Sequence, residues 1–324
     1  MQCSPRRTQS LFFTGCFLLI SYSPAAIQID GFLTEKNDRF ANDADFIAND
    51  YDLSGVGIND SGRWLTMISP NVYIGAQHFK PAVNSSVTFY QTNDPSGPSV
   101  TRFVSATTKQ IGADTDIFLG VLDQALPSGY QFYNFATEDI SAAGINAFSS
   151  STYTGADAFV LGRSPTNFTV SQDIAVGRNK LDVWWDSITA QTSPTVSNTG
   201  AAIGAVINSP EDDDYVQHEA DLRIGDSGAP LFVASAPNQF TIVGINWFTS
   251  NPQGTFIGHS YLGNYDEEIQ AFVDANPVPE PAYYSLLLGI LALTNVVFSR
   301  KNCGYENRLP SQDNYQSRFD SVSR

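Results

Sequence analysis

The central part of this chain contains no cysteine. The 324 residues include three cysteines, Cys3, Cys16 and Cys303, and all of them lie near the ends of the sequence. The stretch between them therefore cannot be held together by disulfide bonds of its own. A body of about 250 residues does not need them, because it can bury roughly 70–75% of the surface of its unfolded chain. We expect a fold that is stabilised by a hydrophobic core.

Basic residues are also scarce. The chain has 17 Lys and Arg against 33 Asp and Glu, which gives a net charge of −16. Between Ala26 and Asn276 the imbalance is larger, with 29 acidic and 10 basic residues. Proteins that bind nucleic acids carry basic patches that neutralise phosphates, so this composition excludes a nucleic-acid partner. An acidic surface favours solubility and attracts basic partners.

Histidine is the third scarce residue, with His78, His218 and His259 as its only representatives. His78 lies at the end of the strand-like run 72–79, which is a position from which a side chain can face a cleft. His218 follows the acidic stretch 211–215. We expect His218 and His259 to be solvated or hydrogen-bonded loop residues. Any chemistry that needs a general base therefore points first to His78.

A glycine-rich turn presents a serine at the start of a strand. Ser227 lies in Gly-Asp-Ser-Gly-Ala-Pro, residues 225–230, and the apolar run 231–233 follows. The glycines let the backbone bend and approach a ligand closely. The N–H groups of Gly225 and Ser227 would then point at one spot, where a developing oxyanion is held. The alternative is an ordinary β-turn, because all of these residue types form turns.

A serine hydroxyl is a weak nucleophile unless a base and an orienting acid assist it. Asp116 begins the apolar run 116–122 and is expected to be partly buried at the start of a strand. A buried carboxylate needs a partner, and the Nδ1–H group of a histidine is a suitable one. Asp114 competes with Asp116, because residues two positions apart share a face in an extended segment.

These motifs resemble those of the trypsin-like (chymotrypsin-fold) serine peptidases. Residues 225–230 resemble the serine motif of that family, residues 74–79 its histidine motif and residues 116–119 its aspartate motif. Residues 242–247 resemble the strand that follows the serine motif and lines the substrate cleft. The order of the three motifs is that of the family and differs from the orders in subtilisins and α/β-hydrolases. The resemblance covers about residues 55 to 275.

The resemblance implies a serine endopeptidase that acts on proteins or peptides and needs no cofactor or metal. Ser227 would be the nucleophile, His78 the general base and Asp116 the residue that orients the imidazole. The N–H groups of Gly225 and Ser227 would form the oxyanion hole, and Asp226 would be structural. The substrate pocket would include Asp221, Asn246, Trp247 and Phe248.

Several residues depart from the family pattern. Gly75, Gln77 and Phe79 differ from the residues that usually occupy the histidine motif, and Ala229 replaces a glycine in the serine motif. A catalytically inactive scaffold that acts as a surface-displayed binding or matrix protein is therefore the alternative function.

Two features of the pocket lead to opposite expectations for specificity. Asp221 lies six residues before Ser227, at the position that forms the base of the pocket in the family. Its carboxylate predicts a preference for Lys or Arg before the cleaved bond. However, Arg223 lies close enough in the chain to neutralise Asp221. Phe248 replaces a glycine at the pocket mouth and would admit only small side chains.

The N-terminal segment is typical of a secretory signal. Arg6 and Arg7 precede the apolar run 11–20, and small residues follow at positions 23–25. Cleavage there would leave Ala26 or Ile27 as the first residue of the mature chain.

The C-terminal segment resembles a PEP-CTERM sorting signal. Pro-Glu-Pro at 279–281 precedes 17 mostly apolar residues, 282–298, and then Arg300 and Lys301. Seventeen residues are the lower limit for a membrane-spanning helix, and basic residues favour the cytoplasmic side. In Gram-negative bacteria an exosortase recognises this signal, which implies export to the envelope or the extracellular matrix. The chain continues to Arg324, further than such signals normally do, and a plain single-span anchor is the alternative.

The spacing of apolar runs between turn-forming residues predicts an all-β body. Two antiparallel β-barrels are expected, with the cleft between them and a boundary in the small-residue stretch 141–151. A helix is predicted over 264–273, with acidic residues in its first turn. The predicted organisation is a signal peptide (1–25), an N-terminal barrel (26–145), a C-terminal barrel with the helix (146–276), the sorting signal (277–301) and a tail (302–324). Strands are predicted at 64–68, 72–76, 87–91, 117–122, 158–162, 169–176, 181–185, 231–233, 240–246 and 255–258.

Overall fold

A computed structural model describes residues 26–140, 145–166, 169–193, 195–250 and 254–278. The chain divides into two compact units, Met1–Asn276 and Pro277–Arg324. The second unit is described only at its first two residues, so the predicted sorting signal, span and tail lie outside the described residues, as does the predicted signal peptide. Within the described ranges, no helix is long and apolar enough to cross a membrane.

The first half of the body forms a closed barrel of six antiparallel strands. A short N-terminal strand, β1 (Gln28–Ile29), precedes the barrel. The barrel strands are β2 (Val56–Asn59), β3 (Trp64–Met67), β4 (Val72–Ala76), β5 (Ser86–Tyr90), β6 (Ser99–Ile111) and β7 (Ile117–Leu122). Their order round the barrel is β2, β3, β4, β7, β6 and β5. Every position of β2, β3 and β4 is buried, including the polar residues Asn59 and Thr66.

The second half forms an eight-stranded half-barrel rather than a second closed barrel. The prediction of two barrels is therefore confirmed for the first and only in part for the second. The strand order is β10-β9-β14-β15-β16-β12-β11, and β8 pairs with β15. The bounds are β8 (Asn134–Phe135), β9 (Asp157–Gly162), β10 (Ala175–Lys180), β11 (Val183–Ser193), β12 (Val196–Val206), β14 (Pro230–Ala236), β15 (Gln239–Thr249) and β16 (Phe256–Tyr261).

The N-terminal strand packs beside the segment that leads to the serine turn. β1 pairs with β13 (Ala220–Asp221), with Gln28 opposite Asp221 and Ile29 opposite Ala220. The Asp30 N–H donates to the Glu219 carbonyl at 2.8 Å. The start of the described chain is therefore held against the residues that precede Ser227.

The described residues of the body also form three short helices, α1 (Thr34–Asn37), α2 (Ile145–Ser150) and α3 (Asp266–Ala275). The predicted C-terminal helix is confirmed as α3, which buries Ile269 and Phe272. α2 lies in the stretch that was predicted to be a boundary between barrels. Short 3-10 turns occur at Arg39–Ala41, Gln77–Phe79, Val170–Gln172 and Gly263–Tyr265.

The barrel and the half-barrel share one hydrophobic core. Its members include Ile58 and Ile74 from the barrel and Phe159 and Phe232 from the half-barrel. Phe232 stacks on Phe240 with ring centroids 4.7 Å apart. That contact lies within the half-barrel. Between the halves, Tyr133 donates its N–H to the Met67 carbonyl of β3 at 3.0 Å, and its ring packs against Phe232 with ring centroids 4.7 Å apart. Since aromatic side chains bury large apolar areas, the shared core holds the two halves together.

Candidate active site

The pairing of β4 with β7 brings His78 and Asp116 together. Ala76, the last residue of β4, lies opposite Ile117, the first residue of β7. In an antiparallel pair, the residues just beyond these ends are also neighbours. The Gln77 N–H donates to the Asp116 carbonyl at 3.0 Å, and the 3-10 turn Gln77–Phe79 then places the His78 ring over the Asp116 carboxylate. Residues 38 positions apart in the chain thus become partners.

Both oxygens of the Asp116 carboxylate bind His78. The His78 N–H donates to Oδ1 at 2.8 Å, and Nδ1 lies 2.6 Å from Oδ2. Because an ionised carboxylate only accepts hydrogen bonds, Nδ1 carries the proton and Nε2 of the neutral ring is left as the base. The Asp116 side chain is fully buried, and 11% of the His78 side chain is exposed.

Burial and hydrogen bonding act in opposite directions on Asp116. Burial raises the pKa of Asp116 above its usual value, and the hydrogen bonds from His78 favour the carboxylate and oppose that rise. Asp114, the competing acid, is exposed, and its backbone carbonyl accepts the Thr199 N–H. The structure therefore brings Asp116, and not Asp114, to His78.

The turn that carries Ser227 docks onto the end of β4. Gly225 and Gly228 adopt φ angles of 108° and 92°, which favour glycine. The Trp64 Nε1–H donates to the Gly225 carbonyl at 3.0 Å. A Cβ atom on Gly228 would lie 3.2 Å from the Ala76 nitrogen, so the two segments touch. His78 lies two residues after Ala76, so the contact brings the serine turn close to His78 in the chain.

One cavity of about 290 Å³ is lined by both His78 and Ser227. Ser227 is half-buried at its edge. Within the described part of the chain, the N–H groups of Gly225 and Ser227 donate to no other group. Two backbone donors are thus left beside a serine hydroxyl, which is the arrangement that stabilises a developing oxyanion. The lining residues are His78, Phe79, Gln191, Thr192, Leu222, Arg223, Ile224, Gly225, Ser227, Asn246, Trp247, Phe248 and Thr249.

Asp226 is fully buried behind the serine turn. Its Oδ1 accepts the Arg163 N–H and its Oδ2 the Arg223 N–H, each at 2.7 Å. Burial raises the pKa of Asp226 to about 8. Ile27 packs beside this carboxyl, since a Cβ atom on Gly162 would lie 2.7 Å from both Asp226 Oδ1 and Ile27 Cβ. The side chain thus fixes the loops around the turn and does not face the cavity.

Asp221 is engaged by neighbouring side chains. It forms an ion pair with Arg223, and the Thr249 hydroxyl donates to its Oδ1 at 3.3 Å. Arg223 also donates to the Gln28 side chain. Arg223 lines the cavity, whereas Asp221 is not among the described residues that line it. The neutralising contact that the sequence suggested for Arg223 is therefore formed.

Phe248 occupies space above Gly258. A Cβ atom on Gly258 would lie 2.1 Å from Cζ of Phe248, so only glycine there leaves room for the ring. Trp185 packs edge-on against Phe248 with ring centroids 5.4 Å apart. Phe248 thus lines the cavity, and its role in a substrate pocket stays a prediction.

Other residues of the cavity escaped the sequence analysis. Gln191 and Thr192 reach it from the end of β11, a strand that was predicted to stop at residue 185. Ile224, which is 65% exposed, forms part of the rim. The signal that could have found Ile224 is its position one residue before Gly225.

The prediction for His259 was wrong. It lies in β16 and is fully buried, opposite Asn246 of β15, and its Nδ1 is 2.8 Å from Asn246 Oδ1. Burial lowers its pKa to about 3. His218 does lie in a loop, at a φ of 68° and 5% exposure, and burial lowers its pKa.

The buried His259 predicts a loss of stability in mild acid. Its folded pKa of about 3 lies below the ordinary value of 6.5, so the unfolded chain takes up a proton that the folded protein excludes. The stabilisation is complete above pH 6.5 and is lost as the pH falls towards 3, by about 3 kcal/mol at pH 4. His259→Asn cannot be protonated and should lack this loss. Urea unfolding of both proteins from pH 7 to pH 4 measures the difference; parallel stability curves would contradict the prediction.

No protein-family model and no curated protein sequence matches this chain. What is established is therefore the architecture: an all-β protein with a closed six-stranded barrel, a half-barrel and a short C-terminal helix, consistent with the trypsin-like two-barrel fold.

Proposed function

We propose that this protein is an exported serine endopeptidase. The observation that carries the proposal is one cavity lined by His78, Ser227 and Gly225. The His78 ring is paired with the buried Asp116, and the N–H groups of Gly225 and Ser227 have no partner among the described residues. These are the groups that acyl transfer needs: a nucleophile, a base with its orienting acid, and an oxyanion site. The resemblance of the three motifs to trypsin-like peptidases supports the same function.

In the proposed reaction, the Ser227 oxygen attacks the carbonyl carbon of the peptide while His78 Nε2 removes its proton. Asp116 stabilises the imidazolium that forms. The N–H groups of Gly225 and Ser227 hold the oxyanion, and each such donor contributes about 2.7–4 kcal/mol to lowering the barrier. His78 then gives the proton to the leaving amine, and water hydrolyses the acyl-enzyme by the reverse sequence.

Labelling with a fluorophosphonate probe tests this function. An active site of this kind forms a bond from serine oxygen to phosphorus and releases fluoride, and mass spectrometry should locate the adduct on Ser227. His78→Ala should remove most of the labelling, since the nucleophile and the base act as a unit. Failure of the wild-type protein to react would favour the alternative, an inactive scaffold that displays a binding surface.

The cavity favours substrates with a small side chain before the cleaved bond. The Asp221 carboxylate already forms an ion pair with Arg223, so it is not available to a cationic side chain of the substrate. Phe248 narrows the cavity further. The preference for Lys or Arg that Asp221 alone predicts is therefore the weaker of the two expectations.

A peptide-library cleavage profile should show enrichment of Ala, Ser or Val before the scissile bond. Phe248→Gly should then raise the relative rate for larger apolar residues by about 10-fold or more. Phe103→Ala, which truncates an exposed phenylalanine on β6, is the control that should leave the profile unchanged. Cleavage after Lys or Arg by the wild-type protein would reverse this assignment and restore Asp221 as the determinant.

We also propose that the protein is exported and sorted to the cell envelope or beyond by an exosortase-type enzyme. The support is the order of the terminal segments in the sequence. The intact mass of the protein from its native host should correspond to a chain that begins at Ala26 or Ile27 and lacks the residues beyond Pro281. Recovery of peptides from 302–324 in the surface-located protein would indicate a simple membrane anchor instead.

A further inference from the structure

A buried polar pair lies directly behind the serine turn. Asn246 and His259 face each other across β15 and β16, and both are fully buried. The Asn246 amide nitrogen donates to the Leu161 carbonyl at 2.8 Å and to the Asp226 carbonyl at 3.2 Å. Since both of its hydrogens are used, the amide oxygen is the acceptor that faces His259. His259 therefore carries its proton on Nδ1.

The bond to the Asp226 carbonyl bears on the reaction. That carbonyl belongs to the same peptide unit as the Ser227 N–H, and in a planar trans peptide the two groups point in opposite directions. Asn246 and the Ala229 N–H, which also donates to this oxygen at 3.1 Å, hold the carbonyl towards the interior of the half-barrel. The Ser227 N–H is then directed away from Asn246 and is left free of any partner among the described residues.

Asn246 is also tied to the turn through its backbone. Its carbonyl accepts the Gly228 N–H at 3.0 Å, and its own N–H donates to the Ala229 carbonyl at 2.9 Å. The backbone thus fixes the distance between β15 and the turn. The side chain acts with the Ala229 N–H on the tilt of the Asp226–Ser227 peptide. The side chain is itself oriented by its bond to the Leu161 carbonyl and by His259.

We propose that His259 is a positioning residue: through Asn246 it orients the peptide whose N–H stabilises the oxyanion. The inference rests on the proposed function and adds a second histidine to it, one that exchanges no proton with the substrate. Among the described residues, Nε2 of His259 is buried without a partner. The ring therefore acts as a neutral single donor, since a second proton would leave a buried charge unpaired.

Two substitutions separate orientation from packing. His259→Leu keeps an apolar group of similar size and removes the donor. His259→Asn restores an N–H at the position of the imidazole Nδ1. We expect His259→Leu to lower kcat for peptide hydrolysis about 10-fold or more with KM changed by less than about 2-fold, and His259→Asn to stay within about 3-fold of the wild type. Ser260→Ala, at the adjacent buried position of β16, is the control and should keep wild-type kcat.

A second measurement does not depend on activity. In ¹⁵N-labelled protein, the His259 ring should show the Nδ1–H tautomer. The amide resonance of Ser227 should shift in His259→Leu and return in His259→Asn. If the wild-type protein hydrolyses no peptide, the proposed function fails while these resonances still decide the inference. An Nε2–H tautomer, an unshifted Ser227 amide in His259→Leu, or a loss of kcat that asparagine does not rescue would each overturn it.

Discussion

Replacement of Ser227 by alanine should abolish peptide hydrolysis while the fold stays intact. The hydroxyl is the only proposed nucleophile, and loss of such a group typically costs 10⁴-fold or more in kcat/KM. Ser227 is half-buried at the edge of the cavity, and the hydrogen bonds that hold its turn come from the backbone and from Trp64 and Asn246. The free energy of unfolding should therefore change by less than about 1 kcal/mol.

The measurement pairs kcat/KM on a peptide substrate with a thermal unfolding curve. Ser235→Ala is a matched control, because Ser235 is an exposed serine on β14, the strand that follows the turn. It should retain full activity. Wild-type rates in Ser227→Ala would end the peptidase proposal, whereas a collapsed unfolding curve would mean that the serine has a structural role as well.

Replacement of Asp116 by asparagine should cost about 10⁴-fold in kcat with little change of shape. Both carboxylate oxygens now accept hydrogen bonds from His78. An amide offers one oxygen only, so its NH₂ group would face either the His78 N–H or Nδ1. In the second case the ring is driven to carry its proton on Nε2, which is the atom that must accept the serine proton.

Asp114→Asn provides the control for this result. It lies two residues earlier, is exposed, and changes charge in the same way. Its activity should match that of the wild type within about 2-fold. A crippled Asp114→Asn beside an active Asp116→Asn would show that the wrong carboxylate has been assigned to His78.

The fold could be predicted best where the chain is apolar on both faces. The predicted bounds of β4 and β7 agree with the structure, because continuous apolar runs such as 72–76 and 117–122 are stable only when both faces of the strand are buried. β6 was not predicted as a strand, because its 13 residues are rich in serine and threonine and only two of them are buried. The pattern there resembles that of a loop, and only pairing with β5 and β7 makes it a strand.

The second half was harder to predict, and the site shows why. β11 and β12 form a hairpin in which each strand has 11 residues, whereas the sequence predicted only a short strand at 181–185. Because that predicted strand ended at residue 185, Gln191 and Thr192 were not recognised as cavity residues. The contact of the Phe248 ring with Gly258 and the partnership of Asn246 with His259 depend on the register of β15 with β16. Register is a property of two strands together, which a single run of residues does not reveal.

His78, Asp116 and Ser227 could be proposed from the sequence, because each of them stands at the end of a strand or in a turn that glycine marks; their catalytic roles stay a prediction. His78 follows β4, Asp116 precedes β7, and Ser227 precedes β14. Strand ends and glycine turns can be located in a sequence without knowledge of how the strands pair. Their partnership, by contrast, needed the alignment of Ala76 with Ile117 and the contact of Gly228 with Ala76.

The pairing of β1 with β13 joins two segments that lie far apart in the chain. Gln28 lies opposite Asp221, and the whole barrel and five strands of the half-barrel lie between them in the sequence. Contacts between residues so far apart in sequence form late, because closing long loops costs entropy that only an assembled scaffold returns. The pairing of β1 with β13 is thus expected to be among the late contacts of folding. The segment that leads to the serine turn acquires this neighbour only at that stage.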